Sequence, residues 1–256
     1  MNRETFLPTI PALDGIYLIL STATRCPYVV CNPETYDDEA MVCISEQAAE
    51  AKVKELRELD IPVSSTKVDK DAMLNFYNDM YCFGINAVRF VDDEDELCIQ
   101  LTDFVHKGDI SKIPEERRPL ENPSLQLSML YFCQEARYRG RDPKKVHEYE
   151  EEMVADIRKS TFLVPIAELN SDDEGKKEIK FMILKSKDKE PVVPVFTDTM
   201  TLMHFLGKGR CQVIKMNIDQ LAKLEIPNAT RGFIFNPNGV GLVLNREQMN
   251  KIIADF

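Results

Sequence analysis

Apolar and polar positions follow the same order along two stretches of this chain, residues 15–105 and residues 161–256. In the first stretch, short apolar or β-branched runs are broken by Pro, Asn and acidic residues, which is typical of strands. Ala49, Val53 and Leu56 recur at helical spacing behind a capping residue, Ser45. The pattern predicts strands at 16–20, 28–32, 41–44, 62–68, 86–91 and 97–101, with helices starting near Ser45 and Asp69.

The second stretch repeats this order, with strands predicted at 162–166, 179–184, 191–196, 211–216, 231–235 and 240–244. A helix through Leu202 stops at Gly207. Two further helices start at Asn217 and Asn245, and each has Gln three residues later, the spacing of a reciprocal N-terminal cap. Self-similarity over such a period indicates two degenerate copies of one α/β unit with a mixed sheet.

The segment between the copies is rich in Pro and charge over residues 107–123, which indicates a linker. Asn122 and Asp142 then each precede a Pro that can occupy the first position of a helix. We expect a helical hairpin packed on a sheet, with a coiled-coil dimerisation arm as the alternative. The predicted fold is α/β (α+β), organised as a divergent first repeat (1–106), a linker with two helices (107–160) and a second repeat (161–256).

Composition narrows the class of protein. A chain of 256 residues with 44% hydrophobic content is typical of a globular protein. It has no long apolar run, so neither a membrane span nor a secretory signal is expected. Seven cysteines, an odd number, favour a reducing cytoplasm over a disulfide framework. The net charge of −11 argues against nucleic-acid binding, which needs Lys and Arg to neutralise phosphates.

Sequence motifs for catalysis are missing. There is no phosphate loop, dinucleotide fingerprint, zinc-protease helix or nucleophile elbow. Cys26 and Cys31 lack a second Cys/His pair at zinc spacing, so we predict no metal and no cofactor. His204 and Cys211 form one candidate base–thiol pair across a turn, and the alternative is a rim histidine beside a core cysteine. An enzyme is therefore the least favoured class.

One acidic run stands out because its five residues are consecutive: Asp92, Asp93, Glu94, Asp95 and Glu96. The run lacks the alternating oxygen ligands and the glycine of a calcium loop. It is interpreted as a solvated hairpin tip, or else as a contact for a basic protein partner.

Three motifs of the second stretch, Phe162-Leu163-Val164-Pro165, Pro194-Val195-Phe196-Thr197-Asp198 and Gly232-Phe233-Ile234-Phe235-Asn236-Pro237, are followed by Leu242-Val243-Leu244. This succession resembles the SseB family, named for enhanced serine sensitivity. The first stretch resembles it more weakly, through Met41-Val42-Cys43-Ile44-Ser45 and Asn86-Ala87-Val88-Arg89-Phe90. The family commonly carries an aromatic residue, often Trp, after its Phe-Thr element; this chain has no Trp, and Phe205 stands there.

The resemblance implies no established reaction and no agreed catalytic residues. In one interpretation its motifs are structural: Phe196 lies in the core, Thr197 or Asp198 caps a helix, and Asn236 begins a turn. In the other, a pocket between or within the repeats is lined by Phe196, Thr197, Asp198, Phe235 and Asn236.

Two hypotheses on function follow. The first is a non-catalytic cytoplasmic module that binds an unknown protein partner, with a regulatory role and a homodimer as options. The second is a small-molecule sensor that uses the pocket of Phe196, Thr197, Asp198, Phe235 and Asn236. Neither hypothesis requires a membrane or nucleic acid.

Overall fold

Strands and helices alternate along the chain in a computed structural model that describes residues 1–93, 95–171, 177–185, 190–226 and 229–254. Parallel and antiparallel strand pairs share the same sheets, which confirms the predicted α+β class. The first half contains α1 (Arg3–Phe6), β1 (Gly15–Ser21), β2 (Val29–Cys31), β3 (Asp38–Cys43), α2 (Glu46–Glu58), β4 (Val63–Asp69), α3 (Lys70–Cys82), β5 (Ala87–Asp92) and β6 (Asp95–Gln100).

The strands of the first half form one sheet in the order β4-β1-β3-β5-β6, and β2 pairs with the N-terminal part of β3. β3 and β5 are parallel, and the other pairs are antiparallel. Alternate residues of β1 face opposite sides of the sheet. Ile16 and Leu18 pack toward Met73 and Tyr77 of α3, whereas Ile19 packs in a second cluster under α2. The sheet is therefore buried on both faces.

The connecting segment forms short 3-10 turns at Ile110–Lys112 and Glu115–Arg117, then α4 (Pro123–Ala136) and α5 (Pro143–Lys159). The two helices pack against each other, as the predicted hairpin requires. Leu125 and Met129 of α4 are buried in a core cluster that includes residues of both halves, among them Ile16 and Phe235. The buried face of α4 is thus used inside the molecule, not in a projecting arm.

The second half contains β7 (Phe162–Ser171), β8 (Lys177–Phe181), β9 (Leu184–Lys185), β10 (Pro191–Val195), α6 (Thr199–Leu206), β11 (Gln212–Met216), α7 (Ile218–Ala222), β12 (Gly232–Phe235), β13 (Leu242–Leu244) and α8 (Arg246–Ala254). Its strands form two sheets, β11-β7-β8 and β13-β12-β10-β9, with β10 parallel to β12. The backbones of Leu163 and Phe196 join these sheets, each donating its N–H to the other's carbonyl at 2.8 and 2.9 Å.

Through this bridge the strands of the second half lie in the order β11-β7-β10-β12-β13, which corresponds position by position to β4-β1-β3-β5-β6 of the first half. The single predicted strand at 179–184 is wrong. β8 pairs with β7, whereas β9 pairs with β10 in the other sheet. Between them, the Met182 N–H donates to the Pro165 carbonyl at 3.2 Å, so the chain changes sheets there.

Capping residues locate most of the helix starts. Asp142 accepts a hydrogen bond from the Lys144 N–H at 2.9 Å, and α7 and α8 carry the reciprocal Asn/Gln caps that their spacing predicts. The predicted cap at Asn122 is wrong in mechanism, since its side chain makes no cap hydrogen bond. Its amide donates instead to the carbonyls of Thr161, at 2.7 Å, and Thr197, at 2.5 Å.

Candidate functional site

Polar residues meet where the parallel strands β10 and β12 end. Neighbouring parallel strands present their carboxyl ends at one sheet edge, a common location for binding sites in α/β proteins. Thr197 and Asp198 follow β10, and Asn236 follows β12. These three side chains are almost fully buried, with exposed fractions of 0%, 1% and 3%. Three of the five predicted pocket residues are thus brought together.

Asp198 is the centre of this polar cluster. Its Oδ1 accepts the Thr201 N–H at 2.8 Å and so caps α6, which confirms the structural interpretation of this residue. Its Oδ2 accepts the hydroxyl of Thr197 and the side-chain amide of Gln126, both at 2.6 Å. The buried carboxylate is therefore held by three donors, from the turn after β10, from α6 and from α4.

Asn236 completes the cluster from a left-handed backbone conformation, φ 47°. Its Oδ1 accepts the Thr197 N–H at 3.1 Å and the Thr201 hydroxyl at 3.2 Å. Its Nδ2 donates to Thr197 Oγ1 at 2.8 Å and to Gln126 Oε1 at 3.2 Å. These four bonds use the full capacity of a side-chain amide. The cluster thus joins α4, α6 and the turn after β12, with little capacity left for a ligand.

A cleft of about 220 Å³ lies beside this cluster, between the two halves. Phe196 and Asn236 line one wall. Residues of α3 and of the turn that follows it line another wall: Phe76, Asp79, Met80 and Phe83. Turns around Cys26 and Gly239 close the remaining sides with Pro27, Asn238 and Val240. The cleft is accordingly formed by residues from both halves of the chain.

The remaining predicted pocket residues have other surroundings. The side chains of Thr197 and Asp198 form their hydrogen bonds within the polar cluster, next to the cleft wall. Phe235 packs its ring edge-on against Phe162 in the core, with ring centres 5.2 Å apart. Phe205 stacks obliquely on Phe196, with ring centres 5.1 Å apart, so an aromatic ring lies against the Phe-Thr element.

Charged groups of both signs lie at the cleft. His204 of α6 approaches Asp79 of α3, with Nε2 and Oδ2 3.7 Å apart. Burial raises the pKa of the Asp79 carboxyl; the nearby His204 lowers it, and the Asp198 carboxylate raises it further. Arg25, which is exposed, also lines the cleft. The cleft therefore combines apolar walls with an anion and two basic side chains.

The candidate pair of His204 and Cys211 has no support in the geometry. His204 faces Asp79, whereas Cys211 packs on the cluster of Leu163, Phe196 and Leu202. Burial raises the pKa of the Cys211 thiol, which disfavours the thiolate that nucleophilic catalysis needs. His204 is exposed, as the alternative of a rim histidine expects, whereas Cys211 is half-buried just before β11 and not a core cysteine.

The acidic run lies at the β5–β6 hairpin. Glu96 is ion-paired with Lys52 at 2.6 Å and with Arg89 at 3.2 Å. These cations lower the pKa of the Glu96 carboxyl although burial opposes them. Asp95 contacts the amino group of Met1 at 2.7 Å. Two of the predicted partner contacts are therefore engaged within the chain.

The other two described residues of the run differ in exposure. Asp92 is half-buried, and Asp93 is exposed with a left-handed φ of 44°. Glu94 lies outside the described residues. A basic partner would thus meet Asp93 first among the residues of this run that the structure describes.

Sequence reasoning missed two residues of the site, Gln126 and Asp79. Each is a polar residue beside apolar ones on a buried helix face: Gln126 follows Leu125, and Asp79 lies between Phe76 and Met80. A buried polar group needs partners, so a polar residue at a core position was the available signal. Nothing in the sequence named those partners.

The described residues contain neither a metal-binding cluster nor a membrane-spanning helix. No group of three His, Cys, Asp or Glu side chains there is arranged to hold a metal ion. No helix among these residues has the length and apolar character needed to cross a bilayer. All seven cysteines lie in the described ranges and are free thiols.

Comparison with known proteins supports the resemblance in the second half. Residues 140–251 match the family model of the SseB protein N-terminal domain. The match contains the cleft residues Phe196, His204 and Asn236, whereas Asp79 and Gln126 precede it. No curated protein matches the chain.

Two solved structures are similar to the chain. Tic22 from Plasmodium falciparum is 12% identical, with 97% of this chain and 95% of that chain covered and a TM-score of 0.22. Anabaena Tic22, described as a protein-transport protein, is 13% identical, with 99% and 97% covered and a TM-score of 0.21.

Proposed function

We propose that this protein, whose residues 140–251 match the SseB N-terminal domain, is a non-catalytic module that binds a small molecule in the cleft between its halves. The observation that carries the proposal is the shared lining of the cleft. Phe76 and Asp79 come from the first half, and Phe196 and His204 come from the second. A ligand bound there contacts both halves and stabilises their packing.

The size and lining of the cleft indicate the kind of ligand. A volume of about 220 Å³ is smaller than the roughly 300–1,000 Å³ typical of drug-sized ligands. The apolar walls suit a short hydrocarbon part, and Asp79, His204 and Arg25 suit an ionic or zwitterionic group. We therefore expect a small metabolite with one apolar part and one charged end.

The self-satisfied polar cluster supports a binding role for the cleft without taking part in binding itself. Asp198 and Asn236 hold α6 and the turn after β12 in position. These elements carry His204 and Asn238 of the cleft. A wall that is positioned before the ligand arrives loses less conformational entropy on binding.

The experiment is a thermal-shift screen of the full chain with small cations, anions and zwitterions at millimolar concentration. A ligand present at about 100 times its Kd stabilises the native state by about 2.7 kcal/mol. For a chain of this size that corresponds to a rise in Tm of roughly 5–10 °C. Hits are then measured with His204→Ala, and His147→Ala is the matched control.

The control is well matched because both histidines are exposed and lie beside a carboxylate, His147 at 3.4 Å from Glu151. Loss of the shift in His204→Ala alone supports the cleft as the site. No hit from the whole panel, or hits that neither substitution changes, contradicts the proposal.

Protein binding through the acidic run stays a prediction of the sequence, as do a cytoplasmic location and a homodimer. Binding of a protein partner by this run now depends mainly on Asp92 and Asp93, because Asp95 and Glu96 have partners within the chain. A pull-down from lysate with Asp92→Asn/Asp93→Asn beside the unaltered protein tests it. A stoichiometric partner that the double variant fails to retain would favour this function.

A further inference from the structure

A second cavity, larger than the cleft, is lined in part by residues 28–31 of the first half. It has a volume of about 420 Å³ and lies, partly open to solvent, between the edge strand β2 and the helices α4 and α5. Four tyrosines line it: Tyr28, Tyr131, Tyr138 and Tyr149. We call this cavity the tyrosine pocket. The chain has 8 tyrosines, so half of them are concentrated at this one location.

Hydrogen bonds and stacking hold three of these rings in place. The Tyr131 hydroxyl donates to Asp38 Oδ1 at 2.6 Å, and the Tyr138 hydroxyl donates to the Leu59 carbonyl at 2.7 Å. The rings of Tyr131 and Tyr149 are stacked, with centres 5.3 Å apart and planes at 18°. The aromatic walls are therefore organised without a ligand.

The edge of β2 is closed by a side chain. Gln134 accepts the Val29 N–H at 3.1 Å and donates to the Val29 carbonyl at 3.0 Å. This pair of bonds occupies backbone groups that an added strand would need. The pocket is thus better suited to a compact group than to an extended peptide added to the sheet.

The charge around the tyrosine pocket is mainly negative. Glu135 and Asp142 line it, and the Glu135 carboxylate accepts the Asp142 N–H at 3.0 Å. Burial and the nearby Glu135 raise the pKa of Tyr28 and of Tyr149, so both phenols stay neutral. Lys145 is the one basic side chain among the lining residues, and it is exposed at the start of α5.

Aromatic faces carry negative electrostatic potential and attract cations, and adjacent carboxylates strengthen that attraction. We propose that the tyrosine pocket binds an organic ammonium ion. The alkyl groups of this ion contact the rings of Tyr28, Tyr131, Tyr138 and Tyr149, and the Glu135 carboxylate balances its charge. This site is separate from the cleft between the halves and goes beyond the function proposed there. The ammonium group can belong to a free metabolite or to a methylated lysine side chain.

The test compares choline with 3,3-dimethyl-1-butanol, its uncharged analogue of the same shape, by calorimetric titration into the full chain. Choline is expected to bind, and the neutral analogue is expected to bind at least roughly fivefold more weakly, since a cation–π contact contributes about 1 kcal/mol. A peptide with one trimethyllysine, beside its unmethylated form, determines whether a protein side chain is the better ligand.

Variants assign the binding to the tyrosine pocket. Tyr149→Phe keeps the ring and is expected to bind choline within about twofold of the unaltered protein, whereas Tyr149→Leu is expected to lose roughly fivefold or more. Glu135→Gln keeps the acceptor for Asp142 and removes the charge, which should weaken binding severalfold. Tyr36→Leu, at a site with 78% exposure, is the control and should change nothing.

Several outcomes overturn the inference. The inference is overturned if neither choline nor the trimethyllysine peptide binds at millimolar concentration, or if the neutral analogue binds as tightly as choline. Equal affinity in Tyr149→Phe and Tyr149→Leu also overturns it, provided that both variants keep the native Tm. Because His204→Ala leaves this pocket intact, failure here and failure of the cleft proposal are separately visible.

Discussion

The two halves of the chain end their central parallel strands differently. After β3, the first half starts α2 at Ser45, whose hydroxyl accepts the Ala48 N–H at 3.1 Å in a half-buried position. After β10, the second half starts α6 at Asp198, which is 1% exposed and accepts three hydrogen bonds. An N-cap therefore starts the helix in both halves, half-buried in the first half and almost fully buried in the second.

The cover is α4. Gln126 of α4 donates to Asp198, and Asn122, which directly precedes α4, donates to the Thr197 carbonyl. In the first half the corresponding cap, Ser45, is half-buried, and the charged residues nearby, Lys52 and Glu96, form an ion pair at 2.6 Å. The comparison teaches that burial, not the strand order, decides whether a cap stands alone or becomes part of a network.

The largest expected difference between the halves follows from removing the caps. Asp198→Ala leaves the Gln126 amide, the Thr197 hydroxyl and the Thr201 N–H without their acceptor in a dry site. At about 1–3 kcal/mol for each unsatisfied group, we expect a loss of about 3–5 kcal/mol in unfolding free energy. Ser45→Ala should cost about 1 kcal/mol. Urea denaturation measures both, and equal losses would break the comparison.

Two helix-ending glycines give the next test, since both have left-handed φ values. At Gly84, φ 77°, an added Cβ would lie 2.5 Å from the Pro123 carbonyl oxygen at the start of α4. At Gly207, φ 57°, an added Cβ would meet nothing within 4 Å. We expect Gly84→Ala to cost about 2–4 kcal/mol and Gly207→Ala about 1 kcal/mol.

Thermal and urea unfolding of the two variants check this prediction. The extra loss in Gly84→Ala arises because α4 must move away from α3. A Gly84→Ala protein as stable as Gly207→Ala would show that α4 is held loosely, and the cover of the second half would then need another explanation.

The smallest effect concerns Asp79, which lies between the halves. Burial raises its pKa, so the folded protein binds this proton more tightly than the unfolded chain does. Stability from this group is present below the unfolded pKa of about 3.9 and is lost as pH rises through the raised folded value. Asp79→Asn should therefore raise the Tm at pH 7, and the gain should vanish below about pH 4.

Asp71→Asn on the same helix is the control. Asp71 is exposed in the first turn of α3, where a carboxylate interacts favourably with the helix N-terminus, so its removal should lower the Tm slightly. A gain in Asp79→Asn that is the same at pH 4 and pH 7 would contradict the burial of this carboxyl.

Much of the local structure could be predicted from the sequence. Apolar periodicity located the helices, and the Asn/Gln spacing at Asn217 and Asn245 predicted reciprocal caps that the structure contains. The motif residues Thr197, Asp198 and Asn236 lie at one place in the structure, whereas the sequence left open whether they line a pocket or serve a cap and a turn. These features depend on neighbours within a few residues, or on strand ends that topology brings together.

The partners of those residues were decided only by the tertiary structure. Gln126 bonds to Asp198 across 72 positions of sequence, and His204 meets Asp79 from the other half. Four tyrosines, from the residue before β2, from α4, from α5 and from the loop between these helices, line one pocket although no spacing connects them. Local patterns record hydrogen bonds and burial along one element, whereas a site depends on which elements pack together, and packing depends on the whole core.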